Sequence, residues 1–156
     1  MKKIDLGQTI SVFANIGVIV GIVFLAVEIS QNNEALKTQA RLERESVRRN
    51  SYERWLQNPD LIRAEVKVQA DEPLSPEEEL LLWHLNAAIF NDTYMIYQQV
   101  QDGLLEESAI PVASWRQGFH LFNPRMKEAW PYNSPGFPPD FVRWYEDNII
   151  AAGPIE

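Results

Sequence analysis

Residues 10–29 read ISVFANIGVIVGIVFLAVEI, and this stretch decides the fold. Its strongly polar residues are Ser11, Asn15 and, close to the far end, Glu28. A helix rising 1.5 Å per residue needs ~20 apolar residues to cross ~30 Å of hydrocarbon. The segment therefore predicts a membrane-spanning helix. Met1, Lys2 and Lys3 resemble the charged start of a secretory signal. Cleavage of such a signal needs small residues just after the apolar core. Here the core runs into Val27-Glu28-Ile29-Ser30-Gln31, which lacks that pattern, so an uncleaved anchor is expected.

The pattern continues as helix. No Pro or Gly occurs from Ile22 through Asn58, and Gln, Glu, Ala, Leu, Lys and Arg dominate. These are strong helix formers. The reading is a tail over 1–9, a span over 10–29 and a juxtamembrane helix over 30–58 running to about Gln57. A bend is allowed near Ser30–Asn33. Pro59 is the first breaker, and an acidic helical domain fills 60–156.

Charge divides the same way. The formal total is −8. The segment from Gln31 to Arg54 has a basic surplus, and the domain beyond it is strongly acidic. Nucleic-acid binding needs a broad basic surface, and the domain has the opposite sign. The basic surplus lies beside the span, where anionic headgroups sit. Lys37, Arg41, Arg44 and Arg48 follow a 4-3-4 spacing on one helical face, suited to headgroups or an acidic partner. The alternative is a solvated helix laced by pairs such as Glu34–Lys37 and Glu45–Arg49. Lys2 and Lys3 flank one end of the span, and Lys37, Arg41, Arg44, Arg48 and Arg49 flank the other. Basic residues favour the cytoplasmic side, which places the C-terminal domain there.

Inside the span, Gly17 and Gly21 form a G-x-x-x-G motif. Ala14 extends its small edge, and Asn15 can add an interhelical hydrogen bond. Downstream, Ile29, Leu36, Ala40 and Val47 make a thin apolar stripe, a seam or a face for the distal domain.

In that domain, Asp60–Gln69 reads as a short helix. Ser75-Pro76-Glu77-Glu78 has the form of a capping box and predicts a helix to about Gln101, stopped by Gly103. That helix is apolar nearly all round and belongs in a core. Ala113–Phe122 is the next helix, ended by Asn123-Pro124, with one or two turns over Arg125–Trp130. A proline-rich loop and a last helix over Asp140–Ile150 follow, giving an all-α chain. Trp115, Trp130, Phe137 and Trp144 are read either as packing or as aromatic contacts for a partner protein.

The apolar ending Phe24-Leu25-Ala26-Val27-Glu28-Ile29, Gln31-Asn32, Ala35, the turn Asp102-Gly103-Leu104-Leu105, Trp115, Trp130 and Phe137…Phe141 together carry a resemblance. The chain resembles a loose group of short uncharacterised bacterial proteins with one N-terminal transmembrane helix and a helical C-terminal domain. The resemblance implies that architecture and a place in the bacterial inner membrane. It transfers no activity.

The sequence holds no Walker A, Rossmann, G-x-S-x-G or H-E-x-x-H pattern. Without cysteine, disulfides and thiolate metal sites are excluded. His84 with Asp92 is a conceivable metal or proton-transfer pair. The favoured reading of His84 and of His120 is a hydrogen-bonded core or boundary histidine. Catalytic, cofactor-binding and metal residues are therefore expected to be none. The expected function is a non-catalytic accessory or interaction subunit contacting lipids and other membrane-protein subunits. The alternative is a membrane-tethered sensor or phage-defence factor.

Overall fold

The computed structural model describes residues 6–123 and 125–155, which form helices joined by turns and loops with no strand among them. The side chains of Ser51, Tyr52 and Trp55, and those before Ile10, lie outside that description, as do Lys2 and Lys3. The first helix, α1, spans Leu6–Leu56 without interruption. Ser30–Asn33 is helical throughout, and no Gly or Pro interrupts it.

The chain divides into two compact units, residues 1–39 and 40–156. The first contains the N-terminal part of α1. An 18-residue window in it has a mean hydropathy of 2.6, and none of that window is buried. Phe13 is 69% exposed, and Ile16, Val20, Phe24 and Val27 are exposed as well. By length and composition this helix can cross a membrane. In water it would present a continuous apolar surface far beyond what single scattered residues explain.

The second unit begins inside α1, at Ala40. The cause is packing. Ile29 and Leu36 of the thin stripe are exposed, whereas Ala40 is only 2% exposed and Val47 is half-buried, so the later part of the stripe serves as a face for this unit. Polar ties reinforce it: Gln99 Nε2 donates to Glu43 Oε2 at 2.9 Å, and Arg54 pairs with Asp92.

Next come α2 (Pro59–Gln69) and α3 (Pro76–Gln101). Asn58 caps α2 through its side chain, with Pro59 in the first turn. The capping box at α3 is complete. Glu78 N donates to Ser75 Oγ at 3.3 Å, and Ser75 N donates to Glu78 Oε2 at 2.8 Å. Lys67 Nζ reaches the same carboxylate at 2.7 Å and ties α2 to α3. The bond from Lys67 and, after it, the one from Ser75 N hold the Glu78 carboxyl below its ordinary range. At the other end Gly103 takes φ +70, which a side chain resists. Leu104 N then donates to Gln99 O, and Gly103 N to Val100 O, closing the carbonyl end of α3.

The rest is short pieces: a 3₁₀ turn at Glu107–Ala109, α4 (Val112–Gln117), α5 (Arg125–Asn133), a 3₁₀ turn at Ser134–Gly136, and α6 (Pro139–Tyr145). α4 and α6 each run on into a π turn, Gly118–Phe122 and Glu146–Ile150. The helix expected to stop at Trp130 runs on through Pro131 to Asn133. A proline costs one backbone hydrogen bond, and Asn133 Nδ2 donates to Ala129 O at 2.8 Å within the same turn. Buried Met126, Ala129 and Trp130 hold this helix in place.

Two clusters form the interior. Leu61 and Ala64 of α2 pack on Leu82 and Leu85 of α3. The later half of α3 packs with α4, α5 and α6 around Phe90, Phe119, Phe141, Tyr145 and Ile149. Ile89 touches both clusters.

Candidate functional site

The structure sorts the sequence-derived residues into three kinds of surroundings. Ala14, Asn15, Gly17 and Gly21 are all exposed on α1. A Cβ added at Gly17 or Gly21 would meet nothing within 4 Å, so this small edge is open to a second helix.

The basic face is partly spoken for within the helix. Lys37 pairs with Glu34 at 3.4 Å, Arg48 with Glu45 at 2.6 Å, and Arg44 lies 3.9 Å from Glu45. These are local, exposed pairs of the kind that contribute a few tenths of a kcal/mol each, about 0.2–0.5. Arg41 is exposed.

The aromatic set packs in and against the domain interior, in keeping with the packing alternative. Trp130 is 5% exposed and stacks on Tyr145 at 4.4 Å, and its Nε1 donates to Glu146 Oε1 at 3.3 Å. Phe137 stacks on Trp130 at 6.3 Å. Trp144 lies 5.0 Å from Tyr97 and meets Trp115 edge-on at 6.4 Å. Phe137, Trp115 and Trp144 are half-buried and pack against the core cluster. Their spacing on short helices marked them as one group, and the group closes the core.

The aromatics that do reach solvent are others. Trp83 (40% exposed) meets Tyr132 (75% exposed) edge-to-face at 5.6 Å. They wall a groove of about 610 Å³ between α3 and α5, with Asn86 and Ala129 among its lining. Glu79 and the Arg125–Glu128 pair, at 2.6 Å, also line it. Asn86 is 1% exposed and accepts a 2.8 Å hydrogen bond from Asn123 Nδ2, a buried polar link across the domain. Sequence reading treated Asn123 only as a helix stop.

The two histidines have different surroundings. His84 is exposed, and Asp92 is engaged by Arg54. His120 Nε2 lies 2.8 Å from Ile149 O. A carbonyl only accepts, so this ring nitrogen carries the proton. The bond links the two π turns. Arg116 supports the same junction, with Nε donating to Gly153 O at 2.7 Å. Among the described residues, no three His, Asp or Glu side chains gather as a metal-ligand set.

One polar group stands out that sequence reading passed over. Glu65 sits on the face of α2 that carries Leu61, Ala64 and Val68, at a spacing that points it inward. Its Oε1 is buried and has no hydrogen-bond partner among the described residues. Burial pushes its carboxyl up to about 7. Glu65 lines a cavity of about 160 Å³ with Ile89, Thr93, Trp115, Phe122 and Met126, bringing together α2, α3, α4 and α5. Periodicity alone held the clue: an acid on the apolar side of an amphipathic helix.

The fold and these surfaces define a helical chain with one exposed apolar helix and a small acidic domain. No family model, curated protein or solved structure matches it.

Proposed function

We propose that this chain is a non-catalytic, single-span membrane protein acting as an accessory or interaction subunit of a larger membrane complex. In this reading residues 10–29 lie in the bacterial inner membrane, the acidic domain faces the cytoplasm, and the contacts are lipids and other membrane-protein subunits. The resemblance to the short single-span bacterial proteins is part of the same proposal. The observation that carries it is the open small-residue edge at Gly17 and Gly21 within an apolar helix exposed on all sides. Lipid tails are as apolar as leucine, so association in a bilayer rests on close backbone approach at such edges.

The test is purification in mild detergent with mass spectrometry of what accompanies the chain. A stable membrane partner, lost on Gly17→Ile, supports the proposal. A lone monomer, with no neighbour found by native pull-down, would end it. A second reading, a membrane-tethered sensor domain, is favoured by the cavity at Glu65.

A further inference from the structure

We propose that the cavity beside Glu65 is a binding site for a small one-ring organic amine in its cationic form, with the ammonium against Glu65 Oε1 and the ring among Ile89, Trp115, Phe122 and Met126. Size is the first argument. The cavity measures about 160 Å³. A protein cavity of about 150 Å³ holds a benzene ring, and larger ligands need ~300 Å³ or more. One ring with a short arm fits, and a nucleotide or a peptide does not.

The lining sets the chemistry. Trp115 and Phe122 offer aromatic faces, and Met126 contributes a polarizable thioether. Ser114, Tyr145, Thr93 and Asn123 also line it, and the last two are engaged elsewhere. Thr93 Oγ1 donates to Ile89 O at 2.8 Å, and Asn123 Nδ2 is bound to Asn86. Glu65 Oε1 is the buried acceptor left without a donor. A buried acceptor without a donor is unfavourable, and a bound donor would remove that penalty.

Charge selects a cation. Among the described residues no Lys, Arg or His lines the cavity, so no cationic side chain there balances an ionised Glu65. A neutral alcohol supplies the hydrogen bond but leaves the charge unbalanced. An ammonium supplies both, and it lies within reach of the aromatic faces, which attract cations. Burial raises the Glu65 carboxyl in the empty site, and a bound cation would hold it ionised.

The site stands independently of the sensor reading. Binding without any effect of ligand in cells would end that reading and leave the site intact. The experiment is calorimetric titration of the full chain in detergent micelles at pH 8 with benzylamine and benzyl alcohol, against an empty-micelle blank. The proposal expects benzylamine to bind at least tenfold more tightly than benzyl alcohol. Glu65→Gln should erase that preference. Gly118→Leu, placed where an added Cβ meets nothing within 4 Å, should fill the cavity and abolish binding while the thermal transition survives. Equal binding of the two probes, binding to neither, or a benzylamine preference that persists in Glu65→Gln would each overturn it.

Discussion

Replacing Glu65 by Gln should stabilise the acidic domain at pH 8 and leave it little changed at pH 5. In the folded chain burial raises this carboxyl to about 7, against an ordinary 4.5. The folded state therefore binds the proton more tightly than the unfolded chain. Below the unfolded value both states are protonated, and nothing is lost. As pH rises from about 4.5 to about 7, the unfolded chain ionises first and gains relative stability; above about 7 the penalty is complete. The full shift would correspond to roughly 3 kcal/mol, but Glu65 is only half-buried and solvent screening reduces this to about 1–2 kcal/mol. For a unit of residues 40–156 that corresponds to a Tm difference of roughly 4–8 °C. The assay is circular dichroism melting of both chains in detergent from pH 5 to 9. The two curves should converge at acid pH and separate as pH rises. Parallel melting temperatures across the whole range would refute the reasoning, because they would mean that Glu65 titrates alike in both states.

Phe141 is fully buried at the meeting of α3, α5 and α6, so Phe141→Ala should cost about 3–5 kcal/mol and lower the denaturant midpoint sharply. Ser75→Ala removes one half of the α3 capping box and should cost about 1 kcal/mol, read as a Tm drop of a few degrees. Paired arginines at Ile19 and Val23 should carry an insertion penalty of about 6–8 kcal/mol, comparable with the span's whole apolar contribution of about 4–8. Membrane fractionation should then find that doubly substituted chain no longer integrated in the bilayer.

Local chemistry made much of this fold legible. The capping box at Ser75–Glu78 and the positive-φ stop at Gly103 depend on residues within a few positions of one another, and both appear as the sequence implies. The continuity of α1 follows from the absence of Gly and Pro over its later two thirds. What depends on tertiary packing was hidden. The compact unit begins at Ala40, a buried residue inside α1, and no breaker marks the place. Pro131 reads as a helix end but is carried inside α5 by buried neighbours. Trp115, Trp130, Phe137 and Trp144 read more readily as packing than as a partner surface, but which rings meet is set by the tertiary fold. The Asn86–Asn123 link and the unpaired Glu65 oxygen join residues far apart in sequence, or depend on what fails to reach them.

The central claim is that residues 10–29 lie in hydrocarbon. The chain has no cysteine, so single cysteines at Val20 and Thr38 give unambiguous sites for a nitroxide label in reconstituted vesicles. The account predicts that the label at Val20 relaxes with oxygen and is shielded from a water-soluble paramagnetic reagent, while the label at Thr38 shows the reverse. Equal exposure of both labels to the aqueous reagent would contradict it.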